Sequence, residues 1–346
     1  MNFNELELEL DSRQEMISIL GEYPGEPEMS EYESGILTAL IKYKKPKKIV
    51  EIGVASGYTS SIILNQLVKN KNDFQMFSID LNENFYRDSR KKTGFFIEQT
   101  IKKLNLDARK HKLYTGKYAV EHVDKINKGI DFLILDTVHS LPGEIYDFLA
   151  FLPLLNPNAI IVLHDTNLHH LYPASAFPSE KYSNLVLFGG AVGNKLIEYL
   201  DSNVFNFSAN SSFVKYSSKF KTTSNIGAIE INQDTIKYVE NVFQLLMLNW
   251  AYLPSETEFN YYFEHLSKHY DNNLMSLFKI SYETNKLNFS MRETRTLKYK
   301  PFSLLGIYLF PIRILSIAKA LLFSLKERGL IGTLNRVKNK ISKHAQ

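Results

Sequence analysis

The chain has no cysteine among its 346 residues. That excludes disulfide bridges, thiolate metal sites and a cysteine nucleophile, and it suits a reducing compartment. The start, Met1 to Glu9, lacks a basic stretch followed by an apolar run, so no secretory signal is expected. Neither an internal repeat nor a low-complexity linker interrupts the chain. Acids are nearly absent from the far end, where Glu293 and Glu327 are the only ones after Arg292. Bases are nearly absent from residues 5–33, where Arg13 alone faces a series running from Glu5 to Glu33. The net charge of +4 therefore hides two ends of opposite sign, which assigns the tail to a surface role at something anionic. What remains is 44% apolar and 23% charged, a globular composition able to bury a substantial core.

Short apolar runs alternate with helical spacers. Strands are predicted at 48–53, 75–80, 111–115, 131–136 and 159–164, with two more near 203–208 and 225–232. Helices are predicted at 58–69, 94–104, 117–126 and 142–154. Continuous apolar strands separated by helices indicate a mostly parallel sheet of seven strands covered on both faces, a doubly wound α/β fold. A helical segment over 1–43, broken at Tyr23-Pro-Gly-Glu-Pro27, precedes the α/β domain of 44–232. Helices at 234–251 and 257–269, then irregular aromatic-rich chain, make an extension over 233–300 that leads to a basic tail at 301–346.

In such folds, ligands bind beyond the carboxyl ends of the strands. Residues 48–57 read Lys-Ile-Val-Glu-Ile-Gly-Val-Ala-Ser-Gly, so the first strand runs into Glu51-x-Gly53-x-Ala55-Ser56-Gly57 and a helix follows at once. The glycines remove Cβ atoms at the strand end, and the helix start offers unpaired N–H groups. The G-x-G-x-x-G of dinucleotide folds is missing here. Asp80 ends the second strand, placed either to accept ribose hydroxyls or to cap the chain that follows. Asp136 and Asp165 end the fourth and fifth strands. Two carboxylates on adjacent strand ends repel unless a proton or cation lies between them, and a hard ion such as Mg²⁺ suits them. His139 lies just beyond, where an imidazole can take a hydroxyl proton. The alternative is that these acids cap helices and His139 is a plain loop residue.

The E-x-G-x-x-x-G spacing resembles the first motif of class I S-adenosylmethionine (SAM)-dependent methyltransferases. The stretch Asp131-Phe-Leu-Ile-Leu-Asp-Thr-Val-His139, with Asn-Ala-Ile-Ile-Val-Leu-His-Asp165, is similar to their metal-dependent O-methyltransferase branch, which includes catechol-type and macrolide-sugar enzymes. The resemblance covers about residues 35–170 and implies a Rossmann-like methyltransferase fold. It further implies SAM as cofactor, held by Glu51, Gly53, Ala55, Ser56, Gly57, Asp80 and Asp136, with Mg²⁺ on Asp136 and Asp165 and His139 as base. Thr166 stands where the catechol-type pattern has a third ligand, asparagine; Asn167 comes one place late. Asn156-Pro-Asn158 replaces the usual Pro-Gly-Gly turn, and asparagine tolerates the left-handed backbone needed there.

The expected reaction is methylation of a sugar hydroxyl in a glycan or glycosylated small molecule. The competing readings are a metal-free N- or carboxyl-methyltransferase and a non-catalytic SAM- or nucleotide-binding scaffold. His164, His169 and His170 around Asp165 suggest a transition-metal cluster only weakly. Phe188-Gly-Gly-Ala-Val-Gly193 lacks the Lys-Ser/Thr of a phosphate loop and reads as a substrate-side loop or a turn. Tyr261, Tyr262 and Phe263 read as core. The apolar stretch 302–325 is long enough to span a bilayer. Pro311 breaks it, however, and Arg313 and Lys319 would each cost roughly 2.5–3.5 kcal/mol at mid-membrane. Two readings stay open: an amphipathic helix at the inner face of the membrane, with contacts running through 302–343, or a helix packed on the domain or on a second copy in a homo-oligomer. Nucleic acid is not an expected partner, because the basic residues alternate with aliphatic ones. The expected location is the cytoplasm.

Overall fold

The computed structural model describes residues 11–21, 29–71, 73–166, 204–206, 226–232 and 239–294. The chain divides into two compact units, one of residues 1–168 and 186–288, the other of 169–185 and 289–346. The site described below lies in the first. Of the second, the described part is the end of one long helix, residues 289–294.

Two helices open the described chain, α1 (Ser12–Leu20) and α2 (Glu31–Lys44). Ser30 and Glu33 close a reciprocal capping box at the start of α2, satisfying two backbone donors that the helix leaves over. The sheet then builds from β1 (Lys48–Ile52), β2 (Gln75–Asp80), β3 (His111–Thr115), β4 (Ile130–Leu135) and β5 (Leu155–His164). Between these strands lie α3 (Tyr58–Lys69), α4 (Phe95–Lys103), a 3₁₀ turn with the short α5 (Val123–Ile126), and α6 (Gly143–Phe151). Strands β6 (Val204–Asn206) and β7 (Ile226–Glu230) complete a seven-stranded sheet in the order β3-β2-β1-β4-β5-β7-β6. The first five run parallel, and β7 is antiparallel to both β5 and β6.

This is the doubly wound, mostly parallel arrangement that the continuous apolar runs imply. Every residue of β1 after Lys48 is buried, as in a strand with helices on both faces. Ile49, Phe132, Ile134, Ile160 and Val162 from the sheet meet Ile36, Leu40, Ile63 and Leu67 from α2 and α3 in one core. At the amino edge, Asp131 accepts hydrogen bonds from the amides of Lys47 and Lys48 (2.9 and 3.0 Å), fixing the start of β1 against β4.

Three helices follow: α7 (Val239–Leu245), α8 (Glu256–Leu266) and α9 (Asn272–Thr294). Two expectations are corrected here. The helix predicted over 234–251 stops at Leu245 within the described chain, because Leu246, Met247 and Leu248 bond three residues back in tight turns. Moreover, residues 272–294, read as irregular chain, form the longest described helix. Its buried stripe, Met275, Phe278, Ser281, Tyr282 and Asn285, has helical spacing, but two of its members are polar and dilute the apolar signal. Asn285 justifies its burial by accepting from Trp250 N and donating to Leu248 O and Ser281 O. Among the described residues no helix is long and apolar enough to cross a membrane. The tail 302–343, with its membrane and packing readings, lies outside the described residues.

Candidate active site

A cleft of about 450 Å³ opens at the carboxyl ends of β1, β2, β4 and β5. Six of the sequence-predicted residues line it: Gly53, Ala55, Asp80, Asp136, His139 and Asp165. Glu51, Ser56 and Gly57 do not; they sit behind the turn.

Glu51 is fully buried and accepts from Ser60 Oγ at 2.6 Å and Ser78 Oγ at 2.7 Å. It is the register partner of Ser78 on β2, so the pair meets on one face of the sheet. Ser78 in turn lies 3.0 Å from His111 Nε2. The motif glutamate thus ties three strands to α3 and faces away from the cleft.

The glycines also serve the packing of the turn itself. A Cβ on Gly53 would stand 1.8 Å from the carbonyl oxygen of Asp136, and one on Gly57 would stand 2.7 Å from Ile97 and 2.9 Å from Gly94 Cα. Both have left-handed φ angles, +93° and +81°. They allow the turn to pack closely against Asp136, Ile97 and Gly94. Ser56 Oγ accepts from Tyr58 N at 3.1 Å, at the start of α3.

Asp80 has a third role beside the two expected. Its Oδ2 accepts from the amides of Val54 and Ala55 (2.9 and 3.0 Å), and its Oδ1 from Asn82 N (2.8 Å). No helix starts beside it, so it does not cap one; it holds the motif loop against β2. A carboxylate has about four lone-pair positions, so three amides leave room for one ligand hydroxyl rather than two.

Beyond β4 and β5 the strand-end acids converge. Asp136, His139 and Asp165 each place a donor atom within 4.8 Å of the others. His139 Nε2 lies 3.1 Å from Asp165 Oδ2 and 3.4 Å from Asp136 Oδ1. Both His139 and Asp165 have positive φ (51° and 58°), costly for residues with a Cβ and typical of a site where geometry matters more than ease of folding. Burial disfavours the charged imidazole of His139, but Asp165 and Asp136 outweigh it and raise its pKa above the usual value. As arranged, His139 is a proton-holding bridge between two acids.

Sequence reasoning missed several partners. His164, doubted as a metal ligand, is buried under the acids with Nδ1 3.0 Å from Asp136 Oδ1 and Nε2 3.8 Å from Glu33 Oε1. Desolvation opposes its charge, yet Asp136, Asp165 and Glu33 raise its pKa well above normal. It orients Asp136; its position at the end of a buried strand was the available signal. His169, His170, Asn167 and the loop 188–193 lie outside the described residues.

Further lining comes from α6 and the chain of 252–262. The cluster read as core divides: Tyr261 is exposed, whereas Tyr262 is buried, lines the cleft and donates to Asp147 Oδ1 at 2.5 Å. Tyr252 donates to Glu258 Oε1 at 3.2 Å. No sequence pattern links Asp147 to a tyrosine 115 residues away.

The donor set Asp136, Asp165 and His139 fits a divalent cation. Two carboxylates this close need a positive charge, and oxygen donors suit Mg²⁺.

Comparisons agree with this architecture. Residues 50–166, which span β1 to the end of β5, match the family model described as "Methyltransferase domain". The chain is similar to the O-methyltransferase TomG of Streptomyces achromogenes, solved with SAM: 15% identity, TM-score 0.39, covering 64% of this chain and 87% of that one. It is also similar to an O-methyltransferase of Bacillus cereus solved with S-adenosylhomocysteine: 14% identity, TM-score 0.41, covering 64% and 90%. The matched region carries the E-x-G-x-x-x-G turn and the strand-end acids together, so residues 50–166 of this chain match a methyltransferase domain.

Proposed function

We propose that the protein transfers the methyl group of SAM to a hydroxyl, most simply one on a sugar, with Mg²⁺ bound at Asp136 and Asp165. The observation that carries this reading is the placement of His139 between two strand-end carboxylates. Its imidazole, together with that of His164, balances the two acids. Mg²⁺ held there would supply the positive charge that polarises an acceptor hydroxyl and neutralises the acids. His139, relieved of that duty, takes the acceptor proton. The acceptor oxygen forms its bond to the methyl carbon, the carbon–sulfur bond breaks, and its electron pair stays on sulfur as S-adenosylhomocysteine. His164 keeps Asp136 in position throughout. Orientation of oxygen and methyl in line can supply roughly 7–11 kcal/mol of the acceleration.

The test reads binding before activity. Calorimetric titration should show S-adenosylhomocysteine binding, and electron paramagnetic resonance should show Mn²⁺ binding to the wild type. Asp165→Asn is expected to weaken Mn²⁺ by about tenfold or more, as loss of a charged ligand implies. Unchanged Mn²⁺ affinity, or transfer insensitive to chelators, would remove the metal from the mechanism and favour metal-free transfer.

A further inference from the structure

The α6 side of the cleft carries two carboxyl groups and, among the described residues, no lysine or arginine acting on them. Asp147 and Glu258 line the cleft there beside Tyr118, Tyr252 and Tyr262. Tyr262 donates to Asp147 and Tyr252 to Glu258, and Tyr118 also hydrogen-bonds Glu258. With these phenolic protons already committed, the wall presents mostly acceptor lone pairs to the cavity. No lysine or arginine is among the groups that set the electrostatics of Asp147 or Glu258. Among the described residues the one arginine lining the cleft, Arg87, follows β2 and bonds Tyr86.

Glu144 is a separate observation, on α6 just behind the lining residues Gly143 and Asp147. It is 1% exposed, and neither carboxyl oxygen has a hydrogen-bond partner among the described residues. It lies one turn before Asp147 on the same face of α6. The groups acting on its charge, His139, Asp165, Asp136 and Asp147, all line the cleft. A buried carboxyl without a partner is costly, and such groups collect where a ligand completes them. Burial raises Glu144 and Asp147 to about 7 each, so near neutrality both stand ready to ionise if a cation arrives.

We propose that this wall is the acceptor subsite, and that it selects a hydroxyl-bearing acceptor with an ammonium group, such as an amino sugar or amino alcohol, over neutral and anionic equivalents. The inference rests on the methyl-transfer reading and narrows its substrate class. An ammonium brings three donors and the missing charge to a wall of acceptors, and tyrosine faces add cation–π attraction. A carboxylate or phosphate brings no donor and is repelled. The ammonium is recognised, not consumed: the methyl still goes to the hydroxyl oxygen.

The full chain, saturated with S-adenosylhomocysteine, is titrated with methyl glucosaminide, its N-acetylated form, methyl glucoside and methyl glucuronoside. The glucosaminide is expected to bind at least about tenfold tighter than the N-acetylated form and the glucoside, and the glucuronoside not to bind. Asp147→Asn and Glu258→Gln should each shrink that preference while S-adenosylhomocysteine affinity is kept. Equal or tighter binding of the uncharged or anionic glycosides, no binding of the glucosaminide, or a preference untouched by both substitutions would overturn the proposal. The comparison with the N-acetylated glycoside needs no variant, so it stands even if a substituted chain fails to fold. Failure to bind S-adenosylhomocysteine at the outset would instead bring down the methyl-transfer reading itself.

Discussion

Gly53 and His111 show how single residues bear on this molecule in opposite ways, one by what it lacks and one by what it withholds. At Gly53 any side chain meets the Asp136 carbonyl at 1.8 Å, and the local φ is left-handed. Gly53→Ala must therefore push apart β1 and β4 at the point where the cleft begins. A loss of about 2–4 kcal/mol is expected from strain of this kind, read as a lowered urea midpoint together with weakened S-adenosylhomocysteine binding. His111 is buried against Ser78, and desolvation lowers its pKa from 6.5 to about 4. The unfolded chain therefore binds a proton near pH 6.5 that the folded chain refuses until about pH 4. Stability from this residue is intact above the unfolded value and drains away as pH falls through that window, by at most about 3 kcal/mol. Denaturation midpoints at pH 7 and pH 5 measure it, and His111→Gln should flatten the difference. A variant with the wild-type slope would assign acid sensitivity to other groups.

At the level of elements, what decides an outcome is whether a signal is local. The parallel strands are legible because each is a short continuous apolar run, and the strand-end acids are legible because the fold places all strand ends on one rim. Asp136, His139 and Asp165 follow from those two facts. Helix α9 is not legible, since Ser281 and Asn285 occupy its inner stripe, and their partners, Phe278 O for one and Trp250 N and Leu248 O for the other, appear only in the fold. The α6 side of the cleft is likewise hidden: Asp147 looks like an ordinary helix acid until Tyr262 of α8 is laid against it. Glu51 and Gly57 are conspicuous in the sequence, yet they serve the turn from behind, because a motif records what a turn requires without separating lining from support. Asn285 tests the element directly. Asn285→Ala leaves Trp250 N, Leu248 O and Ser281 O without this partner, and a cost of about 2–3 kcal/mol is expected, since unsatisfied buried groups retain their desolvation penalty. Equilibrium unfolding followed through the single tryptophan reads it.

For the whole molecule, the question is whether residues 239–294 are an appendage or part of the folding unit. All nine residues of α6 are buried, an environment that one face of a sheet cannot provide alone. The rest of the cover comes from the later helices: Tyr146 packs edge-on to Trp250 and against Phe278, His265 Nε2 lies 2.9 Å from Ala150 O, and Tyr270 donates to Leu149 O. Phe243, Trp250, Phe259, Leu266 and Phe278 are each buried in this layer. At about 1.5–3 kcal/mol for each large apolar side chain, the group contributes on the order of 7–15 kcal/mol. A whole domain holds a net stability of only about 5–15 kcal/mol. A chain cut after residue 238 should therefore keep the motif turn and all the strand-end acids yet fail to fold cooperatively. Weak near-ultraviolet circular dichroism, strong binding of a hydrophobic dye and no S-adenosylhomocysteine binding are the expected results. A truncated chain that melts sharply and binds the nucleoside would show that the sheet and its first six helices stand alone, and that the later helices were added only to shape the acceptor.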